Sequence, residues 1–145
     1  MFNIKGRCAP QTAITGRLSG MDRKRFEDGL KVRREVLGDE YLNKALAAST
    51  EFMKPMQELV TENCWGYIWT RDALPRKTRS LVTLAFLSAL RATTEIKAHV
   101  LGALRNGCTK EEIQEVLLQA AVYVGVPAGI EAFRAAKEVI ENWKE

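Results

Sequence analysis

Glu95 and His99 stand four residues apart, and His99 is the only histidine in the chain. On a helix this spacing puts both side chains on one face, with Cβ atoms roughly 6 Å apart. A carboxylate so placed can orient an imidazole and raise its basicity, which suits general acid–base work near neutral pH. The same pair on a solvated helix is a stabilising contact worth about 0.3–0.5 kcal/mol. Spacing alone leaves both readings open. Arg91 extends the row backward if helical geometry begins that early, and Gly102 and Ala103, one turn beyond His99, can leave room for a ligand.

Other candidates are cationic or aromatic. Arg76, Lys77 and Arg79 crowd the start of the apolar stretch 81–90, where the helix dipole disfavours positive charge. Such placement suits an anionic ligand, or simply a solvated turn. Arg79 directly precedes the apolar residues and is the candidate for a bidentate carboxylate clamp, with Arg76 beside it. Trp65 and Trp69 lie one turn apart and can wall a small organic pocket, or serve as core or subunit interface. Tyr123 offers its hydroxyl to a site or its ring to packing. Cys8, Cys64 and Cys108 are far apart, form no CxxC pair and have no neighbouring histidine. They point to a reducing, cytoplasmic setting and give no case for a nucleophile or structural zinc.

These residues sit on helices. Residues 22–36 read as an amphipathic helix carrying Phe26, Leu30 and Val36, ended by Gly38, and Asp39 can cap a second helix through Leu46. A longer helix over 51–69 would turn Phe52, Met56, Leu59, Val60, Cys64 and Ile68 inward, with Pro55 tolerated near its start. Pro75 opens the central helix, whose apolar residues leave no clear polar face and so call for cover on every side, part of it from a partner subunit. Thr93 and Thr94 can cap a helix of about 94–106, closed by Asn106-Gly107. Thr109 and Glu112 have capping-box spacing before the face Ile113, Val116, Leu117, Ala120 and Val124. Gly125 stops that helix and Pro127 opens the last, which packs through Ile130, Phe133, Ala136, Val139 and Ile140. No alternating strand pattern occurs, so the expectation is one all-α domain over residues 21–145, with 1–20 as an N-terminal tail or arm.

Charge narrows the function classes. Three of the 22 basic residues (Lys5, Arg7, Arg17) lie in the first 20 positions, where no acid occurs, leaving 19 against 18 acidic residues in the body. A nearly neutral body without a basic patch argues against nucleic-acid binding. The apolar run 81–90 is too short to span a bilayer.

The stretches GLKVRREVLG (29–38), CWGYIWTR (64–71), LPRKTRSLVTLAFLSAL (74–90) and EIKAHVLGALRNGCTKEEIQEVLLQAAVYVGVPAGIEAFRAA (95–136) together resemble the carboxymuconolactone decarboxylase family, in its gamma-carboxymuconolactone branch. The likeness runs from about Arg25 to Val139. The wider family includes disulfide reductases of the AhpD type, with a glutamate, a CxxC pair and a histidine. On this chain those positions fall on Ser80, Ala92, Glu95 and His99, so the thiols are absent and the histidine remains. Without an attacking thiolate there is no disulfide exchange. The resemblance implies an all-helical AhpD-like fold and a hexamer built from dimers. It implies conversion of 4-carboxymuconolactone to 3-oxoadipate enol-lactone and carbon dioxide in aromatic-acid breakdown, with no metal or organic cofactor. It implies catalytic roles for His99, Glu95 and Arg79, and places Arg76, Trp65, Trp69 and Tyr123 around a small anionic lactone. The alternatives are another small-lactone or cyclic-acid decarboxylase or isomerase, or a helical assembly without activity.

Overall fold

The computed structural model describes residues 20–144, so the expected arm, apart from Gly20, lies outside the described residues. Those residues are all-helical, with no strand among them. They form α1 (Arg23–Leu37), α2 (Asp39–Ala47), α3 (Lys54–Leu59) running into a π-helical segment (Val60–Ile68), α4 (Arg76–Ala89), α5 (Thr93–Arg105), α6 (Lys110–Val124) and α7 (Val126–Ile140).

Local chemistry sets most boundaries. The Asp22 carboxylate accepts from the Arg25 N–H at 3.0 Å to start α1. At α6 the capping box is complete: the Thr109 N–H donates to Glu112 Oε2 at 2.8 Å and the Glu112 N–H to Thr109 Oγ1 at 3.1 Å. Gly38, Gly107 and Gly125 carry positive φ at the breaks. At α5 the expectation of a threonine cap fails. Ala92 is the cap residue, without a side-chain bond, and both threonines lie inside the helix. Arg91 does not extend the row of Glu95 and His99 either. It has φ 55° and ties the α4–α5 turn to Glu131 of α7 through both carboxylate oxygens.

Helix α5 is shared by two cores. Ile96, Val100 and Ala103 join Leu84, Ile113, Leu117 and Ala132 on the side of α4, α6 and α7. Ala98 joins Val32, Val36, Trp65 and Trp69 on the side of α1 and the π-helical segment. The room expected beyond His99 is taken. A β-carbon on Gly102 would lie 2.8 Å from Val36 Cγ1, and Ala103 is fully buried in the first core.

One apolar stripe turns outward, against expectation. In residues 51–69 the inner face is Thr61, Trp65 and Trp69, while Phe52, Met56, Leu59, Cys64 and Ile68 are exposed. The crossing of α1 over the π-helical segment decides this. A β-carbon on Gly29 would stand 2.1 Å from the Thr61 carbonyl oxygen, and one on Gly66 2.0 Å from that of Arg25. Only glycines allow that approach, and it fixes which side faces in. The central helix α4 is buried on one face alone, through Ser80, Leu84 and Ser88, leaving Phe86 at 65% and Leu90 at 74% exposure. In α7 the expected Phe133, Ala136, Val139 and Ile140 pack on the core together with alanines 128, 132 and 135, and of the expected face only Ile130 turns out.

Candidate active site

His99 is held at the junction of α1, α5 and the π-helical segment. Its ring stacks on Trp65, with centroids 5.8 Å apart and planes within 4°, and Trp69 stands 6.2 Å away. The two indoles are 4.8 Å apart, and both are buried. The π-helical turn contributes to this geometry: the Trp69 N–H donates to the Cys64 carbonyl five residues back, at 3.0 Å, a widened turn often found at functional sites.

The imidazole is chemically unusual. Its Nδ1 is buried without a hydrogen-bond partner. Burial lowers its pKa from the ordinary 6.5 to about 4, with the Glu95 charge pulling it up and that of Arg33 pulling it further down. The expected gain in basicity from Glu95 is therefore outweighed, and the ring is neutral at pH 7. Glu95 is exposed, and among the described residues no hydrogen bond joins it to His99.

Arg33 was absent from the candidates drawn from sequence. It is only 6% exposed, and its Nη1 donates to Gln57 Oε1 at 2.9 Å and to Thr61 Oγ1 at 3.2 Å. Its Nε is buried and unpartnered. Burial pushes its pKa down, although a guanidinium stays charged in practice.

The remaining candidates are dispersed. Arg79 donates through Nη2 to the Arg71 carbonyl at 3.2 Å, bracing the turn that follows Trp69, and its Nε is buried without a partner. Arg76 is paired with Glu35 of α1 at 2.7 Å. Tyr123 is 81% exposed and lines an apolar groove of about 390 Å³ between α4 and α6, with Leu81, Phe86 and Val116. That groove contains neither His99 nor Arg79. The structure thus brings together His99, Trp65 and Trp69, adds Arg33, and leaves Tyr123 elsewhere. Ser80 accepts a hydrogen bond from Asn106 Nδ2 at 2.9 Å, and burial pushes the Cys108 thiol up to about 11. Among the described residues, no group of three or more His, Cys, Asp or Glu side chains could hold a metal ion.

The model of the carboxymuconolactone decarboxylase family matches residues 54–138. Among curated proteins, a nitrosuccinic acid decarboxylase of Metarhizium robertsii is 45% identical over 122 residues, covering 84% of this chain and 85% of the relative. A 4-carboxymuconolactone decarboxylase of Acinetobacter baylyi is 40% identical over 121 residues, covering 83% of this chain and 90% of the relative.

Proposed function

Because the chain belongs to the carboxymuconolactone decarboxylase family, we propose that it is a decarboxylase that works without metal or organic cofactor and converts 4-carboxymuconolactone to 3-oxoadipate enol-lactone and carbon dioxide. The observation that carries this reading is the neutral, half-buried imidazole of His99 against the walls of Trp65 and Trp69. The leaving carboxylate of this lactone is allylic to the unsaturated ring. Its electron pair can pass into the lactone carbonyl as a dienolate, so the substrate carries its own electron sink. What remains for the protein is to favour the oxyanion, exclude water and return a proton to the ring carbon beside the carbonyl. The neutral His99 N–H donates to the oxyanion and the indoles shield it from water. Glu95, exposed to solvent, first repels the leaving carboxylate by its charge and then passes a proton taken from solvent to the ring carbon. Arg79 braces the turn behind Trp69 and is without a carboxylate partner among the described residues, so it offers positive charge to the anionic substrate, whereas Arg76 is neutralised by Glu35.

A second substrate reading rests on the 45% identity to the nitrosuccinic acid decarboxylase. Both acids carry the leaving carboxylate on a carbon that also bears a CH2–COO⁻ arm, which is a succinate skeleton. Both place an electron acceptor, unsaturated lactone or nitro group, next to the carbanion. Parallel assays of carbon dioxide release from the two acids, without added metal or cofactor, test the proposal. At least tenfold faster turnover of one acid identifies the substrate, and no turnover of either by folded protein overturns the decarboxylase reading.

We further infer a homo-oligomer, a hexamer built from dimers. Its support is the apolar side chains left exposed at Phe86, Leu90, Val122 and Ile130.

A further inference from the structure

Among the described residues Arg33 has no counter-charge: no carboxylate lies within ion-pair distance of it, and residues 1–20 contain no acid at all. A buried guanidinium without an anion is costly unless something else supplies the charge. Gln57 and Thr61 occupy only Nη1, which fixes the plane of the fork. The orphaned Nε belongs to the edge with which arginine takes a carboxylate in a bidentate grip. Its neighbourhood is that of the candidate site. Thr61, which Arg33 contacts, lies one turn before Trp65, and Trp65 stacks on His99. Val32, beside Arg33, shares a core with Trp65, Trp69 and Ala98.

We propose that Arg33 is the substrate-binding residue for the carboxylate the reaction keeps, the CH2–COO⁻ arm of the succinate skeleton. This deepens the decarboxylase reading and rests on it. Docking the arm at Arg33 leaves the other carboxylate toward the His99 face, so one acid is gripped and the other is free to depart. The bound anion also neutralises a charge that acts on His99. The charged groups acting on that imidazole are Glu95 from its own helix and Arg33 from α1, with the uncharged indoles facing it from the π-helical segment.

The single histidine makes the test direct, because its NMR signal is unambiguous. Succinate is the probe, added to the full-length protein at matched ionic strength. In the wild type, saturating succinate is expected to shift the Arg33 Nε–H resonance and to move the His99 titration midpoint upward. R33Q is expected to start with a higher midpoint and to lose the response to succinate. For the acid that turns over, R33Q should raise KM roughly tenfold or more with a smaller change in kcat, and R33K should fall between. An Nε–H signal that succinate leaves unmoved in the wild type overturns the proposal, and this holds even if R33Q fails to fold. So does an equal His99 response in wild type and R33Q. Succinate docking at Arg33 without turnover of either acid would sink the decarboxylase reading alone. Turnover with an unchanged KM in R33Q would sink this proposal alone.

Discussion

The two sides of α5 handle polarity in opposite ways. Toward α4, α6 and α7 the buried serine hydroxyls are satisfied: Ser88 Oγ donates to the Leu84 carbonyl at 2.7 Å and Ser80 accepts from Asn106, although Arg79 Nε at the start of α4 is left without a partner. That side pushes its surplus outward instead, as the exposed apolar faces of α4, α6 and α7. Toward α1 and the π-helical segment the chain buries a guanidinium and an imidazole, each with a nitrogen that no neighbour satisfies. Buried polar atoms are rarely left so without a function. The proposed chemistry therefore lies on one side of α5, and each prediction below sets that side against the other.

The largest contrast is in turnover. His99→Ala is expected to lower kcat by roughly 10²–10⁴, the range for loss of a group that stabilises or moves a proton. Cys108→Ser, on the other side, is expected to leave kcat within about twofold, because its thiol is held near 11 and is no nucleophile at pH 7. Steady-state rates on the acid that turns over check both, with circular dichroism to show that each variant is folded. A large loss in Cys108→Ser would revive thiol chemistry.

Stability should separate the glycines next. A β-carbon at Gly66 meets the Arg25 backbone carbonyl at 2.0 Å, while one at Gly129 meets the Ala121 methyl at 2.3 Å. Both glycine-to-alanine variants force helices apart, at roughly 1–3 kcal/mol or more, several degrees in Tm. Only Gly66→Ala moves α1 against the segment that carries Trp65, so it alone is expected to raise KM. A raised KM in Gly129→Ala would break the proposed division.

These crossings mark the limit of what the sequence disclosed. Local signals were legible: the Thr109–Glu112 capping box, the glycine stops and the one-turn spacing of Trp65 and Trp69. The apolar stripe at 52–68 misled because helical periodicity cannot say which face a neighbour will cover, and here Gly29 and Gly66 settle that over a separation of 37 residues. Arg33 was hidden among the many charges of α1, where an arginine reads as solvated. Its spacing was the available clue, since 29, 33 and 36 fall on one helical face with a glycine at one end and a valine at the other.

Acid should weaken the fold from the site side. With a folded pKa of about 4 against 6.5, the unfolded chain takes up a proton that native His99 refuses. The contribution is full above about pH 6.5 and is lost as pH falls toward 4, on the order of 2 kcal/mol after allowing for partial exposure. Urea unfolding at pH 7.5 and 4.5, at fixed protein concentration, checks the sign. His99→Asn should flatten that part of the slope, and an unchanged slope would mean that the imidazole is not buried in the folded protein.

The smallest expected effect carries the sharpest question about the division itself. Tyr123 stands in the α4–α6 groove, exposed and remote from the stacked indoles. In a single copy its hydroxyl has no part in catalysis, so Tyr123→Phe is expected to leave kcat and KM within about twofold, as for most surface changes. Assembly supplies the one route by which it would matter. If a neighbouring copy brings this groove over the open Glu95 face of another, the hydroxyl would reach the substrate from outside. A tenfold or larger fall in kcat/KM, with oligomer size unchanged by ultracentrifugation, would then show that the apolar side of one subunit completes the polar side of the next.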